Sequence, residues 1–263
     1  MADLAPVLAD LIVEADNLDA IVGGLSEAAW ATPTPAPGWT IAHQIAHLAW
    51  TDDIARLAAT DPASFRARLD DMPVHQDGYV DRVARERAQQ PAERVLSGWR
   101  EGRAALADAL RAIPERTRLP WFGPPMSATS MATARLMETW AHGQDVADTL
   151  GVLRVPTERL RQVAHIGVRT RDFAYLVHGS APPAEPFRIE LMAPSGQTWT
   201  WGPHDAVQRV TGPALDFCLL VTQRRNRRDL ALTATGAEAD GWLDIAQAFA
   251  GPPGGGRAPG QSA

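Results

Sequence analysis

The sequence has no lysine: all 25 of its basic residues are arginine. Schiff-base catalysis and a phosphate-loop lysine are therefore excluded, because both need a primary amine. Cysteine is almost as scarce. The single Cys218 rules out an internal disulfide framework and a cysteine-based zinc finger. It stands in an apolar stretch between Phe217 and Leu219, so an inert buried thiol is expected there, not a nucleophile. No apolar run reaches the ~18 residues that cross a bilayer. No charged segment followed by an apolar one opens the chain, so neither a membrane partner nor a secretory signal is expected, and the expected location is cytoplasmic. A basic excess is missing too. The 25 basic residues face 31 acidic ones, a net charge of −6, which argues against nucleic acid as a partner.

What is present is ordinary globular composition, 45% hydrophobic and 21% charged over 263 residues, enough for one large domain or two smaller ones. Apolar residues at helical spacing (Leu8, Leu11, Ile12, Ala15, Leu18, Ile21) predict a helix over 4–25. The proline-rich segment 31–39 is a loop, after which Thr40 caps a helix to about 59. Further helices are expected over 78–88, from Pro91 to about 113, from Ser127 to 150 with Gly151 as its stop, and over 156–178. After a proline-rich linker at 180–186 the period becomes two. Phe187, Ile189 and Leu191 alternate with charged residues, Ser195 and Gly196 make a turn, and 198–201 completes a hairpin. A helix over 213–222, a strand over 230–235 and a helix over 237–249 follow. The expected fold class is mainly α. A helical domain over 1–180 precedes a small α+β domain over 187–250, and the Gly/Pro-rich 251–263 is read as a disordered tail.

Two helices carry unusual polar residues. His43 and His47 lie one turn apart on the helix from Thr40, and Trp50 continues their face. Glu138 and His142 lie one turn apart on the helix from Ser127. A Glu-x-x-x-His pair facing a histidine from another helix is one way to build a metal site in a bundle, and three protein ligands leave a position open for water or substrate. The alternative reading is two core histidines satisfied by hydrogen bonds beside a solvated glutamate. Both helices are otherwise apolar here, with Ile45, Leu48, Leu136, Met137 and Trp140, and unpaired polar groups among them would be costly. Trp39, Trp50, Trp121 and Trp140 lie in or near these segments and suggest the walls of an aromatic cleft, although tryptophan more often packs a core.

The stretch Gly38-Trp-Thr-Ile-Ala-His-Gln-Ile-Ala-His-Leu-Ala49 resembles the first signature of the mycothiol-dependent maleylpyruvate isomerase family, within the DinB-like superfamily. Glu138-Thr-Trp-Ala-His-Gly-Gln-Asp-Val-Ala147 resembles its second. The resemblance covers most of residues 1–180 and implies a DinB-like four-helix bundle holding one divalent metal, usually zinc. It implies His47, Glu138 and His142 as metal ligands. His43 matches no ligand position and is a candidate only for a supporting catalytic role. Trp50 and Trp140 are candidate cofactor-contacting residues.

The C-terminal half is similar, more faintly, to the sterol-carrier-like α+β domain that follows the bundle in this family and can contribute an arginine. Arg224 and Arg225, in the run that ends at Arg228, are the candidates, and a solvated basic loop is the alternative. His165 and Arg169, one turn apart, are weaker candidates for a cleft. The resemblance implies a small-molecule substrate, the low-molecular-weight thiol mycothiol as co-reactant, and an isomerase or thiol transferase, with a homodimer as the assembly it suggests. Two other readings stay open: a thiol-independent metal-dependent hydrolase or cyclase in natural-product tailoring, and a non-catalytic ligand-binding module.

Overall fold

The computed structural model describes residues 3–72 and 78–261, and the chain divides into two compact units, Met1–Leu153 and Arg154–Ala263. The first unit is helical. It runs α1 (Leu4–Val22), α2 (Glu27–Trp30), α3 (Ile41–Thr60), α4 (Pro62–Asp71), α5 (Tyr79–Arg87), α6 (Ala92–Arg111) and α7 (Ala128–Leu150). Long helices α1, α3, α6 and α7 form the bundle, with α3 packed on α6 and α7 and α1 on α7.

Local chemistry sets the ends of these helices. The Asp3 side chain accepts the Ala5 N–H at α1, and Ser127 Oγ accepts the Ser130 N–H at α7. Gly151 ends α7 at φ 64°, a left-handed angle that glycine takes at little cost. Apolar faces then close the core: Leu18, Ile45, Leu48, Trp99 and Val146 are buried together. Each such side chain contributes roughly 1.5–3 kcal/mol by leaving water. A second cluster, of Trp50, Ile54, Ala58 and Phe65, takes Tyr79, Trp121 and Phe122 against it.

The second unit holds α8 (Leu160–Arg169), α9 (Arg171–Val177), β1 (Phe187–Met192), β2 (Thr198–Trp201), β3 (Gln208–Pro213), α10 (Ala214–Val221), β4 (Thr233–Thr235) and α11 (Ala237–Ile245). Its sheet has the order β2-β1-β3-β4. The pair β1–β2 is the antiparallel hairpin read from the sequence, β1–β3 is parallel and β3–β4 antiparallel. Phe187, Phe217 and Trp242 pack edge to face or tilted at its centre. Burial drives the Cys218 thiol far above its usual range, in keeping with the expected inert role.

Several elements differ from the sequence reading. The bundle was expected to extend to residue 180, but the compact units divide after Leu153, and α8 and α9 pack on α10 and α11. The single helix expected over 156–178 breaks at Thr170, whose hydroxyl donates to the Gln247 carbonyl at 2.6 Å as well as back to Ile166. Helix α4 and strand β3 were not expected. In β3 only Val210 is buried, so no alternation marks the strand. The tail at 251–263, expected to be disordered, instead lies along the second unit through residue 261. Arg257 is buried and donates to the Arg224 carbonyl at 2.7 Å, Asn226 donates to the Arg257 carbonyl at 2.7 Å, and the Gly260 N–H reaches Asp229. The Arg224 carbonyl thus gives the buried Arg257 an acceptor that the composition of the tail did not reveal.

Candidate metal centre

Two helices of the bundle bring the polar residues together. His47 projects from the middle of α3, and Glu138 and His142 from one face of α7, a turn apart. His142 Nε2 lies 3.2 Å from Glu138 Oε2, and His47 Nε2 lies 3.5 Å from the same oxygen. The two imidazole rings are 4.6 Å apart. Both histidines are buried and Glu138 is half-buried. Among the described residues this is the one group whose His, Cys, Asp or Glu ligand atoms, all within 4.8 Å of one another, can share a cation.

The electrostatics follow from that packing. Burial alone would raise the Glu138 carboxyl, but the hydrogen-bonded His142 and His47 imidazoles outweigh it and hold the group well below the usual carboxylate range. The carboxylate is therefore ionised where the two rings converge on it.

Residues around the cluster fix its orientation. Gln44, one turn before His47, is fully buried, and its side-chain oxygen meets His142 Nδ1. Its amide nitrogen donates to Thr34 Oγ1 at 2.8 Å, and Thr34 Oγ1 donates to the Trp39 carbonyl at 3.1 Å. Because the Gln44 oxygen only accepts, the proton of that contact is on His142 Nδ1, and Nε2 is the ring nitrogen that faces Glu138. The Trp39 ring stacks on His142 at 5.8 Å and tilts against His47 at 5.3 Å, while its indole N–H is tied to Asp81 at 2.7 Å. Trp50 stands 5.9 Å from the His47 ring and packs on Tyr79 and Phe122. One turn before Glu138, Arg135 donates to Asp52 across the core at 2.8 Å, with both side chains almost wholly buried.

The other sequence candidates have neighbours of their own. His43 closes the start of α3: its Nδ1 lies 2.8 Å from Thr40 Oγ1 and accepts the Thr40 backbone N–H at 3.3 Å. Burial, followed by the nearby Arg85, lowers its pKa. Trp140 is two residues from both Glu138 and His142, so α-helical geometry turns it about 200° away from them. Arg224 and Arg225 belong to the second unit, where each donates to a carbonyl of its own loop, Thr222 and Arg224 respectively. His165 accepts the Trp201 indole N–H at 3.2 Å within that unit. Sequence reading missed Gln44 and the Asp52–Arg135 pair. Gln44 sits inside the first signature at helical spacing from His47, and a polar residue on an apolar face was the available signal.

Comparisons with known proteins bear on the family and the fold of the chain. The profile of the family described as mycothiol maleylpyruvate isomerase N-terminal domain matches residues 12–147, and that described as wyosine base formation matches residues 183–235. Two uncharacterised proteins of Mycobacterium tuberculosis, from strains CDC 1551 / Oshkosh and ATCC 25618 / H37Rv, are each 58% identical over 257 residues, covering 98% of this chain and all of theirs. Crystal structures of the mycothiol-dependent maleylpyruvate isomerase and of a histidine-to-alanine mutant of it superpose with a TM-score of 0.60 at 16% identity. Each match covers 89% of this chain and 93% of the other. At that identity the likeness speaks for the fold. No described helix is long and apolar enough to cross a membrane.

Proposed function

The chain belongs to the mycothiol maleylpyruvate isomerase N-terminal domain family, and from that premise we propose that it is a metal-dependent enzyme that uses a low-molecular-weight thiol, mycothiol, to isomerise or transfer a thiol to a small conjugated substrate. One observation carries the reading: two imidazoles and a carboxylate from α3 and α7 converge at 3.2 and 3.5 Å. Ligands about 2.1 Å from a tetrahedral zinc stand about 3.4 Å from one another, so the spacing of these donors fits that ion. The donor set, two nitrogens and one oxygen, is also a zinc set that leaves a position free.

His47, Glu138 and His142 would hold the metal, which when bound lowers the pKa of a thiol or water beside it. The chain's own residues do the rest. Gln44 holds the His142 ring with Nε2 directed inward, and the two imidazoles beside Glu138 favour its ionised form. Trp39 and Trp50 give the cluster apolar flanks suited to a flat, conjugated molecule. Cys218, buried in the second unit, cannot supply the sulfur, so the thiol comes from outside the chain. In an isomerisation the thiolate adds to the double bond, forming a C–S bond and leaving a single C–C bond free to rotate. Elimination breaks the C–S bond, restores the double bond in trans and returns the thiol, with no net redox change.

The test pairs metal analysis with turnover. Wild-type protein should hold about one zinc per chain, and His47→Ala, Glu138→Ala and His142→Ala should each lose it. A conjugated cis-dienoic acid should isomerise only when mycothiol is present. Metal-dependent turnover that ignores the thiol would replace this reading with a hydrolase or cyclase; metal content unchanged in all three variants would remove the centre altogether.

A further inference from the structure

Helix α5 touches both aromatic flanks of the candidate metal centre. Asp81, in its first turn, accepts the Trp39 indole N–H at 2.7 Å. Tyr79, two residues earlier, meets the Trp50 ring edge-on at 6.2 Å. The helix that makes these contacts is itself fixed to α3. Ala84 is buried, Val80 and Val83 pack on the cluster of Trp50 and Ile54, and Arg87 pairs with Asp53 at 2.9 Å.

Trp39 stands where its orientation matters. Its half-buried ring lies 5.3 Å from the His47 ring and 5.8 Å from that of His142, within 15° of parallel to the latter. The loop before α3 holds its backbone: the Trp39 carbonyl accepts the Thr34 N–H at 2.7 Å, and the Trp39 backbone N–H donates to the Ala36 carbonyl at 3.0 Å. Neither bond restrains the side-chain torsions, which have several staggered choices. The indole has one polar atom, a donor, and Asp81 takes it. Asp81 is exposed, so its carboxylate is not needed to close the core. What the contact adds is the choice of one setting for a ring that lies against two of the candidate ligands.

We propose that Asp81 is a positioning residue: acting through the Trp39 indole, it holds a flat wall beside the metal centre and so makes the site select flat, unsaturated ligands over puckered, saturated ones of the same size. The proposal rests on the metal-centred reading of His47, Glu138 and His142, and it does not need the thiol. Aromatic rings in good mutual geometry gain about threefold to tenfold in affinity beyond what their buried area supplies. A saturated ring of similar size gains the area alone.

Calorimetric titration of the zinc-loaded protein with benzohydroxamate and with cyclohexanecarbohydroxamate tests it, because the two share one metal-binding group and differ in the flatness of the ring. Wild type is expected to prefer benzohydroxamate by about threefold to tenfold. Asp81→Leu should lose that preference. Asp81→Asn, whose side-chain oxygen still accepts the indole N–H, should keep it. Trp39→Phe has no N–H to be held and should lose it too, and adding Asp81→Leu to Trp39→Phe should change nothing further. Zinc content and melting temperature should stay at the wild-type values in Asp81→Leu, since that carboxylate is exposed. Equal affinities in wild type, an unchanged preference in Asp81→Leu or Trp39→Phe, or a loss in Asp81→Asn as large as in Asp81→Leu would overturn the proposal alone. So would a further loss in the double variant, or zinc or thermal stability lost in Asp81→Leu. Wild-type protein that takes up no zinc would instead remove the metal-centred reading and this proposal with it.

Discussion

The side-chain oxygen of Gln44 accepts the Nδ1 proton of His142 across the α3–α7 interface, and the Gln44 amide is itself committed to Thr34. Two helices are thereby locked in register at the point where the imidazoles face Glu138. Partners behind a ligating imidazole typically change metal affinity by about 10–100-fold when removed. In Gln44→Leu, zinc affinity measured by chelator competition is therefore expected to fall by that factor, while Gln44→Glu, which still accepts from Nδ1, stays near wild type. Equal affinities in all three proteins would reduce Gln44 to a packing residue.

The three residues of the cluster were legible because helical spacing alone puts Glu138 and His142 on one face, and the motif resemblance named His47 as their partner. Trp39 was legible only as a nearby aromatic. Its stacking on His142 depends on the loop before α3, whose path prolines constrain but do not specify. Gln44 was not singled out, because its place on an apolar face marks it only as unusual, and the His142 partner on α7 that gives it a role is a long-range fact. The hairpin over 187–201 was plain from its alternation. Strand β3, with Val210 alone buried, gave no such signal, and its parallel pairing with β1 is a long-range fact. The place where the bundle ends was equally hidden, because α8 has a perfectly good apolar face and only the choice of α10 as partner assigns it to the second unit.

The buried Asp52–Arg135 pair makes a prediction about stability. Both side chains are at most 5% exposed, and one Arg135 nitrogen, Nη2, has no hydrogen-bond partner among the described residues. Burial raises the Asp52 carboxyl, against the pull of Arg135. Removing the carboxylate alone leaves a buried cation uncompensated, so Asp52→Ala should cost about 3–5 kcal/mol in denaturant unfolding. Replacing both, as Asp52→Leu with Arg135→Met, should recover most of that loss, since an apolar pair of similar volume needs no desolvation. A double variant no more stable than Asp52→Ala would mean that the pair specifies the packing of α3 on α7.

Asp19 links α1 to α6 through Arg100 at 2.8 Å and Arg103 at 2.9 Å. The Arg100 hydrogen bond is the main cause that lowers its pKa, with burial opposing and the charges of both arginines assisting. A folded-state pKa below the unfolded value of about 3.9 means that the contribution is complete above that value and is lost as pH falls through it toward the folded pKa. Since Arg100 is half exposed, the contribution is modest, about 1 kcal/mol. Unfolding free energies of wild type and Asp19→Asn should therefore differ by that amount at pH 7 and converge near pH 2. A gap that persists at low pH would assign the effect to packing rather than charge.

Helix α8 meets α10 at Gly167, where an added Cβ would lie 2.7 Å from Val221 Cγ2 and 3.0 Å from Val221 Cβ. The obstacle is a β-branched side chain in a wholly buried position, with one favoured rotamer and no room to turn. Relief must come from moving a helix, so Gly167→Ala should destabilise the protein by about 1–3 kcal/mol, although alanine is the better helix former. Val221→Ala removes the obstructing methyls at the cost of a cavity. The double variant Gly167→Ala/Val221→Ala should then be more stable than the sum of the two single losses predicts, and chemical denaturation of the four proteins measures that coupling. Strictly additive losses would mean that α8 and α10 separate freely and that close approach at Gly167 does not hold the second unit together.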